Sequence, residues 1–308
     1  MTPRPGWTAR RAAIGVLTVL YVVMWAGGVI GYVFRGGPGP GEEWTAPAFL
    51  LLAAALVLVT ATPRAAAWLS AVLAAGFVVE YVGLRCQCIF GAYTYTAALQ
   101  PLVLGVPVAI ACAWMILVAY VRQMLGPRRW PWGVEALVGA AWLTAIDMVV
   151  DPVAAGPLGY WTWRNPGFYE GIPSENFAGW FAVGVVIFAV LRLGAPVPSL
   201  HAAARRVGVS IVLFFGIIAA VHGVVGAACV SGALLALHWG GGRAGKLGEK
   251  PDHRASINAA TTIAIKTAMD PHVTLATLFI LRPPLGSFAT RWPGRVGRGV
   301  RRNACDFR

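Results

Sequence analysis

Long apolar runs alternate with short polar interruptions along most of this chain. Runs at 12–34, 46–63, 65–84, 101–121, 134–150 and 177–193 each approach the ~20 residues that cross a bilayer as a helix. A longer run, 208–238, reads either as one long tilted helix or as a helical hairpin turning between Gly223 and Gly232. Small residues there (Gly223, Gly226, Ala227, Ser231, Gly232) suit close helix packing. The pattern predicts an all-α, polytopic transmembrane helix bundle of about seven spans, or eight with the hairpin. We expect a transmembrane domain over 1–239, followed by a weakly structured basic tail, 240–308, rich in Gly, Arg and Pro. Within that tail, 271–283 is apolar but too short to span. The first run follows Arg4, Arg10 and Arg11, as in a signal sequence, but exceeds the ~7–15 apolar residues of one, so it reads as a first membrane helix.

Composition agrees. Of 308 residues 58% are hydrophobic and 12% charged, against about 25% charged in soluble domains, and the mean hydropathy is +0.68. The net charge of +13 invites a nucleic-acid partner. That partner is rejected, because the basic residues sit in short loops and the tail and not on an aromatic-interleaved face. Positive charge beside apolar spans marks cytoplasmic loops and anionic lipid headgroups. Arg4, Arg10, Arg11, Arg64, Arg122, Arg128, Arg129, Arg192, Arg205 and Arg206 fall on one side; Arg35, Arg85 and Arg164 fall on the other. The excess predicts a multi-pass cell-membrane protein with a cytoplasmic N-terminus. The tail's own basic residues obey this rule only if 208–238 is a hairpin. The cysteines (86, 88, 112, 229, 305) lack zinc spacing, and Cys86-Gln87-Cys88 is too close for an ordinary structural disulfide, so all read as small residues in or near helices.

Charged groups inside a membrane cost about 3 kcal/mol or more, which makes them functional candidates. Glu80 ends the third run, and Glu135, Asp147 and Asp151 lie in the fifth. Asp147 and Asp151, four apart, share a helix face, and Pro152 predicts a helix end there. Two carboxyls so close in a poorly solvated place do not both ionise easily. A protonated acid beside an ionised one suits acid–base chemistry. Helix capping, or pairing with Arg85 or Arg164, is the plainer alternative. Glu135, near Arg128 and Arg129, reads as an interfacial ion pair.

Two loops stand out. One contains Phe90-Gly91-Ala92-Tyr93-Thr94-Tyr95, then Leu104-Gly105-Val106-Pro107. The other runs from Asp151-Pro152 through Gly159-Tyr160-Trp161-Thr162-Trp163 to Tyr169-Glu170-Gly171-Ile172-Pro173-Ser174-Glu175-Asn176-Phe177. Two spans separate them, so they share one membrane surface, with Glu80 and Asp151 ending on it. An interfacial aromatic belt accounts for single residues, but not for the Gly and Pro punctuation between acids.

At these loops the sequence resembles the membrane carotenoid hydratases, the bisanhydrobacterioruberin hydratases and γ-carotene 1′-hydroxylases grouped as carotenoid biosynthesis proteins. The matching stretches are Glu80 with Phe90–Tyr95, Gly105-Val106-Pro107 leading to Trp114, Asp147–Pro152, Gly159–Trp163, Tyr169–Pro173, Asn176-Phe177 and Gly179-Trp180. They fall within roughly 12–193.

The resemblance implies addition of water to a terminal C=C bond of an acyclic or monocyclic carotenoid, C40 or C50, giving a tertiary alcohol. No metal, nucleotide or redox cofactor is called for. Expected partners are the carotenoid, the bilayer and other carotenoid-pathway enzymes. Asp147, Asp151 and Glu80 are the catalytic candidates, with the donor among them left open. Tyr93, Tyr95, Tyr160, Trp161, Trp163, Tyr169, Glu175, Asn176 and Trp180 are the substrate-binding candidates, their aromatic faces suited to a carbocation. Competing expectations are an isomerase or cyclase acting on the same end group, and a carotenoid or lipid carrier or small transporter, for which intramembrane acids serve as proton relays.

Overall fold

Each apolar run becomes helix, because a helix satisfies every backbone group internally where no water reaches it. A computed structural model describes residues 5–126, 130–193 and 199–244. All lie in the first of two units, 1–269 and 270–308, into which the chain divides. The described residues form eight α-helices: α1 (Pro5–Ile30), α2 (Thr45–Thr60), α3 (Pro63–Cys86), α4 (Val108–Leu125), α5 (Trp132–Ala155), α6 (Ser174–Leu193), α7 (Ala202–Val221) and α8 (Val225–Ala244). Five segments are long and apolar enough to cross a membrane: Ala9–Arg35, Pro63–Cys86, Val108–Leu125, Trp132–Ala155 and Ala202–Val221. Shorter apolar helices cover Thr45–Thr60, Ser174–Val190 and Val225–Gly240. The chain is an all-α membrane helix bundle.

Three expected boundaries change. The run 208–238 is a hairpin: α7 ends at Val221, and Gly223, at φ 74°, reverses the chain where a side chain would be strained. The run expected from 101 begins as helix only at Val108. Before it, β2 (Leu102–Val103) and β3 (Val106–Pro107) form a tight antiparallel turn through Leu104 and Gly105, both at positive φ. Helix α5 also does not stop before Pro152 but continues to Ala155. The expected tail begins inside α8, and from 245 onward it lies outside the described residues.

The bundle is built around α4, whose residues Trp114–Val121 are all buried. Small residues set the closest approaches. A Cβ on Gly139 of α5 would stand 2.7 Å from the Phe188 ring of α6, and one on Gly184 would stand 2.9 Å from Ala140 Cα. Gly208 of α7 accepts Tyr120 of α4, and Gly216 accepts Ser231 of α8. Helix α1 keeps a largely exposed apolar flank (Val16, Val19, Val22, Val23). It is tied inward by Tyr21 Oη to Ser210 Oγ at 2.8 Å and by Trp25 Nε1 donating to Ser210 O at 2.8 Å.

One end of the bundle gathers the start of α1, where Arg10 donates to Val59 O of α2 and to Ala61 O just beyond it, with the ends of α4 and α8 and the starts of α5 and α7. There Glu135 forms its ion pair with Arg122 (3.0 Å); Arg128 and Arg129, the expected partners, lie outside the described residues. The opposite end carries the loops. Cys86 and Cys88 are disulfide-bonded there, with Cα atoms 5.1 Å apart, contrary to the reading of all five cysteines as small packing residues. The left-handed backbone of Gln87 (φ 55°) folds the two side chains toward each other.

Candidate functional site

Gly76, Glu80 and Gly83 recur at i, i+4 and i+7 and so share one stripe of α3. Glycine at both flanks admits large neighbours. A Cβ at Gly76 would stand 2.5 Å from Trp114 Cβ, and one at Gly83 would stand 2.9 Å from the Phe90 ring. The two rings wall in the Glu80 carboxylate, which is 4% exposed. Trp114 Nε1 donates to Oε1 (2.8 Å), and Tyr93 and Tyr95 both donate from Oη to Oε2 (2.7 Å each). Three donors thus converge on one carboxyl group.

The tyrosines arrive on a ribbon. Strand β1 (Tyr93–Tyr95) pairs antiparallel with β4 (Trp161–Trp163), in register Tyr93↔Trp163, Thr94↔Thr162, Tyr95↔Trp161. The two loops of unusual composition are thus one hydrogen-bonded structure, although two helices separate them in sequence. Thr96 locks its edge, donating from Oγ1 to Gly159 O at 2.8 Å. Cross-strand rings meet at 5.2 Å (Tyr93–Trp163) and 6.0 Å (Tyr95–Trp161), and Trp114 stacks on Trp180 at 4.1 Å. Burial, and then the Glu80 charge, push the Tyr93 and Tyr95 hydroxyls well above the usual phenol range, so both act as donors.

Asp147 and Asp151 face the same space from α5, both 3% exposed. A single amide joins them: Asn176 Nδ2, in the first turn of α6, donates to Asp147 Oδ2 and to Asp151 Oδ2, each at 2.7 Å. Trp161 also reaches Asp151, and Glu80 lies within electrostatic range of both aspartates. Among the described residues no arginine pairs with any of the three. The ion pairs there are Arg35–Glu42 and Arg122–Glu135, and Arg85 sits over the Tyr81 ring at 5.4 Å. The plainer expectation of pairing with Arg85 or Arg164 is therefore not what the chain builds.

Pro152 explains how α5 keeps both aspartates on helix. Its missing N–H leaves the Met148 carbonyl without an i+4 partner, and Tyr169 Oη donates to that oxygen at 3.1 Å. Tyr169 in turn stands edge-on to Phe177 at 5.5 Å, and its loop is tied to α8 by Gly226 N donating to Glu170 Oε1 at 2.7 Å. Burial, and then Glu170, raise the Tyr169 hydroxyl above the usual phenol range.

The structure brings Glu80, Asp147, Asp151, Tyr93, Tyr95, Trp161 and Asn176 together, with Trp163 and Trp180 in the surrounding rings. Tyr160 and Trp161 also wall an apolar cavity of about 40 Å³, with Leu50, Ile110, Val150 and Phe215 among its lining. Burial, and then Tyr32, push the Tyr160 hydroxyl up. Glu175 is placed apart: it is exposed, and its recorded bond is to Ser174 Oγ at 3.4 Å. The substrate-binding candidates did not include Trp114; its signal is the Gly76 slot that admits it beside Glu80. Among the described residues no group of three or more His, Cys, Asp or Glu is arranged to hold a metal ion. The three carboxyls have donors around them and, among the described residues, no arginine paired to them. That arrangement gathers three buried carboxyls beside aromatic faces and an apolar cavity.

The family described as carotenoid biosynthesis protein matches residues 45–241, from the start of α2 into α8. The match continues past the stretch that carries the sequence resemblance, and leaves α1 outside. A bisanhydrobacterioruberin hydratase of Haloarcula japonica is 35% identical over 121 residues, 38% of this chain and 41% of that protein. The similarity thus spans about two fifths of that relative's length. No solved structure matches the chain.

Proposed function

The chain belongs to the carotenoid biosynthesis protein family, and from that premise we propose that it hydrates the terminal C=C bond of an acyclic carotenoid end group. The observation that carries this reading is the aspartate pair: two buried carboxyls bridged by one amide nitrogen, with no arginine paired to either among the described residues. Two carboxyls that share one amide donor are arranged to keep a proton between them. The retained proton is the reagent an isolated alkene requires.

The steps balance. The protonated aspartate delivers its proton to the CH carbon of the terminal double bond, whose π electrons form the new C–H bond. The gem-dimethyl carbon becomes a tertiary cation. Water adds its lone pair there, and the extra proton of the oxonium returns to an aspartate, regenerating the acid. One water is consumed and no oxidant is needed. The Glu80 carboxylate and the faces of Trp161 and Tyr95 offset the positive charge as it develops. Trp161, which walls the apolar cavity and also touches Asp151, joins the hydrocarbon to the acid.

The arginine excess supports a cytoplasmic N-terminus, with the carboxyls at the outer end of the bundle. Eight helices return the chain to the N-terminal side at the end of α8, where Arg205 and Arg206 of α7 also lie. A carotenoid is about as long as the ~30 Å hydrocarbon core, so its end reaches the site while its polyene stays in lipid.

The test is to express the chain in bacteria that accumulate lycopene or γ-carotene, and then bisanhydrobacterioruberin, and to analyse the pigments by chromatography and mass spectrometry. A product heavier by one water supports the proposal. A new pigment of unchanged mass indicates an isomerase or cyclase. No new pigment from any of the three, with the protein in the membrane, overturns it.

A further inference from the structure

At the end of the bundle opposite the carboxyls, α7 and α8 open a notch of about 370 Å³, lined by Ala202, Arg205, Arg206, Val209, His238 and Trp239. We propose that this notch binds the phosphate of an anionic phospholipid headgroup.

The charge is unbalanced there. Of the acids in the described residues, Glu135 alone belongs to this end, and it is ion-paired with Arg122. Arg206 is exposed and has no acidic partner among the described residues. Arg205 Nη2 donates only a long bond, 3.3 Å, to the His238 carbonyl, which anchors the guanidinium at the rim and leaves its other N–H groups for an anion. His238 is 5% exposed and is held by Tyr120 Oη, 3.0 Å from Nδ1, so the ring is fixed in the wall. Two arginines and an imidazole around one concavity form a phosphate-binding set.

The notch also changes character with depth, which favours a lipid over a soluble phosphate. Val209 lies about one turn beyond Arg205 on α7, about 6 Å deeper along the axis. Charge gives way to an apolar surface within the reach of a glycerol backbone. Trp239, 56% exposed, stands at the mouth, where an indole suits the headgroup level of a bilayer. The chain's own residues 245–308 are a poorer occupant, since their basic residues outnumber their acids.

The experiment uses the full chain in neutral detergent. Phosphatidylglycerol, phosphatidylcholine or sodium phosphate is added, and bound ligand is read by native mass spectrometry. We expect phosphatidylglycerol to be retained in preference to phosphatidylcholine and to resist millimolar phosphate. Removing one arginine from a headgroup contact weakens binding about fivefold. Arg206→Gln, an exposed change that should not disturb folding, therefore gives about that loss, and Arg205→Gln with Arg206→Gln a larger one. Arg164→Gln, at the other end, gives none. Equal retention of the two lipids, or undiminished retention by Arg206→Gln, overturns the proposal. Displacement of the lipid by phosphate, with phosphate itself retained, assigns the notch to a soluble anion instead.

Discussion

Asn176→Leu removes two hydrogen-bond donors from the aspartate pair while keeping the side-chain volume nearly constant. Asn176 Nδ2 stands 2.7 Å from Asp147 Oδ2 and 2.7 Å from Asp151 Oδ2, and all three residues are buried. A hydrogen bond to a charged group contributes about 1.5–3 kcal/mol net. The ionised member of the pair loses one such bond at the moment its partner gives up a proton. At about 1.4 kcal/mol per tenfold, hydration should slow roughly tenfold to a hundredfold. The assay is product formed per inserted protein in membranes of a carotenoid-accumulating strain, with insertion read from a fluorescent fusion. A melting curve in detergent runs beside it, so that loss of fold is not mistaken for loss of chemistry. Insertion and melting like the parent, with activity within threefold of it, would refute the argument that this amide organises the acid.

Three further outcomes are expected. Tyr169→Phe strands the Met148 carbonyl beneath Pro152 and should cost about 1–3 kcal/mol, the price of a buried unsatisfied polar group, read as a lower melting temperature; unchanged melting removes that role from the hydroxyl. Gly76→Leu drives a side chain into Trp114 and should displace the indole from Glu80. A blue- or red-shifted tryptophan emission together with lost hydration checks this, and parental values of both contradict it. A reporter at the N-terminus and one fused after Trp239 should both report cytoplasm, as the arginine excess and the hairpin of α7 and α8 require; opposite sides would contradict that hairpin.

The helices could be read from sequence because hydrophobic length is a local signal and lipid enforces it. The acids stood out for the same reason: Glu80, Asp147 and Asp151 are costly where they are. Sequence could not supply the pairings. Tyr93 and Trp163 are neighbours only because β1 and β4 meet across two helices, and Trp114 reaches Glu80 only through the slot at Gly76. The expected helix end at Asp151 failed because a proline's local penalty was offset at long range, by the Tyr169 hydroxyl on Met148 O. Glu175 looked equal to its neighbour Asn176 in sequence, yet one turns outward and the other into the pair, a choice made by the register of the first turn of α6. The Cys86–Cys88 bond depended on a left-handed residue between them, which spacing alone does not reveal.

The central claim is that a buried aspartate protonates the alkene and water supplies the hydroxyl. Its most direct test is turnover by membranes in heavy-oxygen water, comparing the parent with Asp147→Asn and Asp151→Asn. The account predicts that the alcohol carries the heavy oxygen, and that each variant inserts normally but forms no product. A hydroxyl bearing ordinary oxygen, or full activity in both variants, would contradict it.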